Sequence, residues 1–587
     1  MTSARLTNYA LRTTLFTITL LLYLQSIPYI LYTWAITGDE PHYLLAAHSL
    51  VRDGDLDLKN NYLNGDHLAF HPGFLDPHIK EQPNDVWLLT HDIGLPFLIA
   101  PAYALGGRVG VMQFFAVMGA LLAVQMFLLG WEVTGQWGAG LLGWGAMTFS
   151  APLALYVFQI YPEMLGSLIM LWAMRQILIT PNWLLLSPAP LLSRSRALLV
   201  ALVLALLPWL SGRYTPLLLL LVALTVWKHW HNRKTWLTVG GLALASLTIY
   251  LITNYSFYGG PTPSATIVGN AVSAGFGNVG GQQIPRGLAG WWLDQQRGLL
   301  VYGPILIVAF IGLPHLWRLR GLDGLLLFTP VVSIWLLASV WGGFYIAWEI
   351  SARFLMVGVP LMVAGIAAAF AGARGRAQRW LFYPLTAALL TLSILNSLIV
   401  ILKPFVAYHE SPIRFYEEAT RWQLRPWLPA MGTRMYIAPD GANEWRATAG
   451  QAGYIYQSPA LDNLSVGWYR LYAQAHLNGA IEPTTNVLGF DIYSSETGIP
   501  LLHADVRAAD INPATGTADL AFPFFNPYLN KWDFPFYLDI QSTGAADVRL
   551  SPLLLEPDPW PTYLRVVGWL MVILGLTVTL AGPRPHV

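Results

Sequence analysis

The stretch GDEPHYLLAAHSLVRDGDLDL occupies residues 38–58 and follows directly on an apolar run at 12–35. A bilayer crossing takes about 20 apolar residues, so Asp39 and Glu40 stand where the chain leaves the membrane. Carboxylates at that depth are poorly solvated and costly, and they are kept where function needs them. A structural use competes, because Asp before Glu-Pro suits a helix N-terminus. The two uses do not exclude each other.

Composition agrees with a membrane setting. Of 587 residues, 55% are hydrophobic and 11% charged, against about 25% charged in soluble domains. That excludes an ordinary soluble enzyme, and a net charge of +1 excludes a strongly basic nucleic-acid binder. There is no cysteine, hence no disulfide, thiolate nucleophile or zinc–thiolate site. Apolar runs at 12–35, 108–130, 138–157, 163–181, 197–210, 214–227, 236–254, 298–316, 324–340, 354–372, 380–402 and 563–582 predict a polytopic α-helical membrane protein of about twelve spans. The first run is too long for a signal-peptide core and reads as an uncleaved anchor.

The pair of short runs separated by Ser211-Gly212-Arg213 could be one broken helix or two crossings. Arg194 and Arg196 precede the pair, and Lys228, Arg233 and Lys234 follow it. Short basic loops stay cytoplasmic, so the chain crosses twice. Arg318 and Arg320, Arg374, Arg376 and Arg379, and both termini then fall on the cytoplasmic side. Four segments fall outside: 36–107, the turn near Tyr161-Pro162-Glu163, 255–297 and 403–562. Within the first, the apolar piece 94–105 is too short to span and reads as an interfacial or re-entrant helix.

Residues 403–562 change character. Short period-two runs such as RMYIAP, GWYRLYAQAHL, VLGFDIY and FPFYLDI alternate with Gly, Pro, Asn and Asp turns. That spacing predicts an extracytoplasmic all-β sandwich. The expected organisation is a transmembrane domain over 1–402, with 36–107 as its acidic first external loop, a β domain over 403–562, and a closing span with a cytoplasmic tail over 563–587.

Ten acids lie in the first external loop, together with His42, His48, His67, His71, His78 and His91, six of the thirteen histidines. Most read as a solvated acidic surface. Outside this loop and the β domain only Glu132, Glu163, Asp294, Asp323 and Glu349 remain.

The 38–58 stretch, placed directly after the first span, resembles the first external loop of the type C glycosyltransferase superfamily. These are membrane enzymes that use polyprenyl-phosphate-linked sugars and include protein mannosyltransferases and aminoarabinose transferases. HDIGLPFLIAPAYALGGR (91–108), YPEMLGSLIML, DQQRGLLVYGPI and WGGFYIAWEISARFLM are similar to further segments of bacterial members. The resemblance covers 1–402 as architecture. It implies Asp39 as the base that takes the acceptor's hydroxyl proton, with Glu40 orienting the acceptor, assisting Asp39 or helping to hold a metal. Such a transfer also needs positive charge or a metal on the departing phosphate. Arg353, Arg297 and Arg213 fall at external ends of spans, and the arginine fork suits phosphate. Glu163 at a span mouth, His91 in THDIGLP and His42 are candidates for substrate or metal contact. A divalent cation is compatible with these ligands, but no ligand spacing is specific and metal dependence stays open. No Gly-rich phosphate loop is present, so no nucleotide is expected.

The β domain resembles jelly-roll modules of carbohydrate-binding type. Trp468, Tyr469 and Trp532 could stack on sugars, although such residues are commonly core, and its acids outnumber its bases. The expected function is inverting transfer of a monosaccharide from a polyprenyl phosphate to an acceptor hydroxyl on a cell-envelope glycan, lipid or protein. The expected location is the bacterial plasma membrane, with the active site and β domain outside. A transporter or lipid flippase is one rival and predicts ionisable residues in mid-span. A non-catalytic scaffold displaying the β domain is another and needs no acidic pair.

Overall fold

Helices form where the apolar runs lie, and they break where glycine and proline interrupt them. The computed structural model describes residues 3–36, 38–179, 194–264, 283–295, 297–341, 352–373, 376–404, 412–420, 424, 428, 435–439, 444–459, 461, 467–478, 481–494, 500–526 and 536–581. Arg374, Glu349, Trp532 and the Trp341–Glu349 segment beyond Trp341 lie outside them, as does most of the loop before Gln283.

Among the described residues, four helices are long and apolar enough to cross a membrane: Tyr9–Thr33, Gly94–Thr134, Arg233–Tyr258 and Arg379–Leu402. The bent pair Pro304–Ile311 and Leu313–Leu326, turned by 59°, makes a fifth if it is one span. Shorter apolar helices cover Ser195–Leu210, Thr329–Val340, Val359–Gly372 and Tyr563–Thr577. The chain is thus a helical membrane protein, but these lengths do not establish twelve crossings. The physical reason is local. Pro304 and Pro360 open 3₁₀ turns, which divide apolar runs that hydropathy reads as continuous.

The helix Gly94–Thr134 shows the same effect. Its backbone leaves the helical region at Gly106 and Gly107, where Gly107 has φ +56°, a conformation glycine adopts freely. The dozen residues ahead of the break form a short helix of their own. Between the first span and this helix lie Glu40–Arg52, the short helix Lys59–Asn64, and an antiparallel hairpin of Ile79–Glu81 with Trp87–Leu89. The hairpin is fastened to the C-terminal end of Arg233–Tyr258. Lys80 Nζ donates to Tyr258 O at 2.6 Å and Gln82 Nε2 to Phe257 O at 2.9 Å, satisfying carbonyls that a helix end leaves open.

The chain divides into two compact units, one of 1–292, 297–412 and 572–587, the other of 293–296 and 413–571. In the second, two antiparallel sheets face a shared core. One orders its strands Gly453–Gln457, Phe536–Ser542, Asn486–Ser494 and Pro500–Arg507. The other is built around the long strand Gly467–Asn478, paired with Thr517–Asn526 on one side and with Asp547–Leu550 and Leu553–Pro557 on the other. Alternation along Gly467–Asn478 sends Tyr469, Leu471 and Ala475 into the core with Phe490 and Leu538. Tyr469, 1% exposed, is therefore not free to stack on a ligand, whereas Trp468 faces outward.

Candidate active site

Gly38 takes φ +59°, which turns the chain out of the first span and delivers Asp39 to the N-cap of Glu40–Arg52. The Asp39 side chain makes no capping bond there. Its backbone carbonyl accepts from His42 N and Tyr43 N, so the carboxylate is released for other partners. Glu40, the next residue, opens the helix. It is buried, and its Oε2 accepts the backbone N–H of Ile160 at 2.8 Å, tying this helix to the segment that begins Pro162–Leu178.

Two arginines converge on two carboxylates. Arg353 donates from Nη2 to Asp39 Oδ2 at 2.7 Å and from Nε to Glu163 Oε1 at 3.0 Å. Arg213 donates from Nη2 to the same Glu163 oxygen at 3.1 Å. Glu163 is fully buried in the first turn of Pro162–Leu178, where the helix dipole favours a negative charge. Its Oε2 has no hydrogen-bond partner among the described residues. Each guanidinium also lies over a ring, Arg353 4.0 Å from the Tyr161 centroid and Arg213 4.1 Å from that of Phe354. Ala352, just before Arg353, sits at φ +65°, a conformation that costs a non-glycine residue about 1–3 kcal/mol and clusters at functional sites. Burial alone would raise the pKa of Asp39. The adjacent Arg353 charge, seconded by His91, outweighs it and holds the carboxyl well below the usual carboxylate range.

Arg213 is presented by a clamped turn. Asp92 Oδ2 accepts from Gly212 N at 2.9 Å, and Tyr250 donates its hydroxyl to Asp92 Oδ1 at 2.7 Å. A Cβ at Gly212 would lie 2.7 Å from the Tyr250 hydroxyl and 2.6 Å from Thr262 Cγ2, so only glycine fits this turn. Burial pushes the Asp92 carboxyl up to about 6, against the pull of its hydrogen bonds. Beside the clamp, Ile93, Phe97, Leu98, Leu206, Trp209 and Leu210 line an apolar cavity of about 350 Å³.

On the other face of Asp39 stand the histidines. The hairpin register places Ile79 opposite Leu89, so His78 and His91 meet at its base, with Nδ1 and Nε2 3.0 Å apart. His91 Nε2 lies 3.6 Å from Asp39 Oδ1. His42 stacks on His78 with centroids 3.8 Å apart, and its Nδ1 lies 2.7 Å from the Tyr62 hydroxyl. Burial pushes His91 down to about 4 despite Asp39, and His42 down to about 2, so both are neutral near pH 7. One atom each from Asp39, His78 and His91 falls within 4.8 Å of the others. Two imidazoles and a carboxylate fit a divalent ion such as zinc, whose ligands sit about 2.0–2.2 Å from the metal. His42 is not in that group, because its ring is committed to Tyr62 and to the stack.

The structure therefore brings Asp39, His91, Glu163, Arg213 and Arg353 into one cluster. Glu163 joins it through the arginines rather than through the histidines. Arg297 stands partly buried on the turn ahead of Leu299–Tyr302. Sequence reasoning did not single out His78, Asp92 or Tyr250. For His78 and Asp92 the signal was the density of histidines and acids in one loop, and for Tyr250, on the helix Arg233–Tyr258, there was none.

No protein-family model matches the chain, and no curated protein sequence matches it. Among solved structures it is similar to ArnT from Cupriavidus metallidurans bound to undecaprenyl phosphate, with TM-score 0.42 and 13% identity over 70% of this chain and 68% of that one. It is also similar to the archaeal oligosaccharyltransferase AglB from Archaeoglobus fulgidus, in complex with an inhibitory peptide and a dolichol-phosphate. There the TM-score is 0.38 and identity 13%, over 71% of this chain and 58% of that one, so this chain spans less than two thirds of AglB.

Proposed function

We propose that the protein is a membrane glycosyltransferase that moves a monosaccharide from a polyprenyl phosphate to an extracytoplasmic acceptor hydroxyl. The observation that carries this reading is the meeting of Arg353 and Arg213 with Asp39 and Glu163, beside an apolar cavity adjoining Asp92. Two guanidiniums suit a phosphate, and the cavity suits the first units of an apolar tail.

In this reading the donor phosphate takes the Nη edge of Arg353 and displaces Asp39 from it. Asp39 then accepts the acceptor's hydroxyl proton as the acceptor oxygen bonds to the anomeric carbon and the bond from that carbon to the phosphate oxygen breaks. The electron pair leaves with the polyprenyl phosphate, which the arginines stabilise. Attack opposite the leaving group inverts the anomeric centre. Glu40 acts by positioning, since its side chain holds Ile160 N. Asp39, His78 and His91 would hold a divalent cation, which when bound supplies positive charge at the reacting phosphate. No nucleotide enters the reaction, because the donor is already lipid-linked. The acceptor is a glycan, lipid or protein hydroxyl of the cell envelope, and the site opens outside a bacterial plasma membrane. Both termini are cytoplasmic, 403–562 is a jelly-roll-like domain that guides the acceptor, and Arg297 joins Arg353 and Arg213 in stabilising the lipid phosphate.

The test is reconstitution in liposomes with polyprenyl-phosphate sugars, following release of polyprenyl phosphate. Asp39→Asn is expected to abolish release. Full activity in that variant would overturn the assignment.

A further inference from the structure

Glu163 contributes more than burial of an arginine. One of its oxygens takes both Arg353 and Arg213, at 3.0 and 3.1 Å, and the other has no hydrogen-bond partner among the described residues. Asp39 accepts from Nη2 of the same Arg353. The two carboxylates differ in freedom. The Asp39 side chain is 20% exposed and sits on a turn, whereas that of Glu163 is 1% exposed and fixed in a helix. An arriving phosphate can displace Asp39, but it must share the arginines with Glu163.

That difference bears on a problem inherent in the reaction. A sugar phosphodiester carries one negative charge. Its product, a phosphomonoester with a second pKa of about 6, carries nearly two at neutral pH. Two arginines that hold the donor would hold the product more tightly still, and turnover would stall on release.

We propose that Glu163 is a built-in counter-anion that limits retention of the phosphomonoester product. It is a positioning residue, acting through Arg353 and Arg213 and not on the sugar. By standing with its carboxylate between the guanidiniums, it leaves less than a full positive pair for the phosphate. The pair is recaptured as the product leaves. The inference rests on the lipid-phosphate reading above and assigns Glu163 a part that reading does not.

The test uses the full chain in nanodiscs and two probes, a short polyprenyl phosphate and its methyl phosphodiester. The first mimics the product and the second the charge of the donor. The protein without substitution should bind both, with the monoester preferred by less than about threefold from pH 5 to 8, across the phosphate's second pKa. Glu163→Gln should tighten monoester binding about tenfold or more, and diester binding by less, given a charge removed within a few ångströms. Glu163→Asp should restore the original ratio.

An unchanged ratio in Glu163→Gln, or weaker binding of both probes, would overturn the proposal and leave the lipid-phosphate site standing. If Glu163→Gln does not fold, the unsubstituted protein still decides. A monoester preference climbing past about tenfold as the second charge appears would show that no counter-anion operates. Binding of neither probe would remove the lipid-phosphate reading itself.

Discussion

The helix Pro162–Leu178 carries a buried charge at each end, and the two ends are built differently. At the C-terminal end Arg175, 3% exposed, donates Nε to Glu132 Oε2 at 2.9 Å, pairs through Nη2 with the other Glu132 oxygen, and reaches Gln125 through Nη1. Every arm of the guanidinium is used, and both oxygens of the carboxylate are taken. At the N-terminal end Glu163 offers one oxygen to two arginines and keeps the other unpartnered among the described residues. Arg353 shares its donors between two carboxylates and lies on an aromatic face. A closed pair has nothing left to give a ligand. The open one leaves a carboxylate oxygen of Glu163 without a hydrogen-bond partner among the described residues. Burial of charge therefore does not by itself mark a site. Unspent hydrogen-bonding capacity does.

The largest expected effect separates the two ends directly. Asp39→Asn should lower single-turnover transfer by about 10²–10⁴-fold, the usual worth of a positioned base, while polyprenyl phosphate still binds. If the loss of transfer were matched by loss of thermal stability, Asp39 would belong with the closed pair. The reverse result is expected at the other end. Arg175→Met strands Glu132 and should cost about 3–5 kcal/mol, as breaking a buried pair does. Protein that survives should keep its transfer rate within about twofold of the original, since Arg175 makes no contact with the cluster of Asp39 and Arg353 in the structure described. The double change Arg175→Met with Glu132→Leu should recover most of that stability, because an apolar replacement of a whole buried pair is often neutral.

Arg353→Lys comes next. A lysine presents a point charge and cannot bridge Asp39 and Glu163 as the guanidinium does. Losing a charge-assisted hydrogen bond costs about 1.5–3 kcal/mol, so the donor's KM should rise about 10- to 100-fold. A change confined to kcat would place Arg353 away from the donor phosphate.

How much of this was legible in the sequence depends on chain distance. Asp39 was visible because it adjoins a span. Arg353, Arg213 and Glu163 were visible as lone charges at span ends. Their pairing was not, because Arg353 lies 190 residues from Glu163 and 314 from Asp39. The break at Gly106–Gly107 was readable from a local motif, and so was the alternation that makes Gly467–Asn478 a strand. Span count was less secure, since hydropathy averages across the 3₁₀ turns at Pro304 and Pro360. His78 was hidden among six loop histidines, and only the hairpin register selects it. The mid-span charge expected of a transporter is not seen in the Arg175–Glu132 pair, which sits at the ends of Pro162–Leu178 and Gly94–Thr134.

The histidine side of the open end should respond to metal removal. His78→Ala should lower bound divalent metal per protein by elemental analysis, and transfer by about tenfold, the scale of disturbing a metal site. If the purified protein carries no metal and chelators leave transfer unchanged, Asp39, His78 and His91 hold a hydrogen-bonded cluster and not an ion.

The smallest expected effect tests the clamp behind Arg213. Tyr250 is remote in sequence and touches neither arginine in the contacts described, yet its hydroxyl donates to the carboxylate that holds Gly212 N. Tyr250→Phe removes one hydrogen bond, worth about 0.5–1.5 kcal/mol, and leaves the ring packed edge-on against Trp209. If the clamp exists to aim Arg213 at a phosphate, the donor's KM should rise about two- to tenfold with kcat nearly unchanged. Arg213→Met should make the same substitution silent, because a misplaced arginine matters only while the arginine is there. If Tyr250→Phe still raised KM in the Arg213→Met background, the clamp would support the fold at large, and the open end would depend on Arg353 and Glu163 alone.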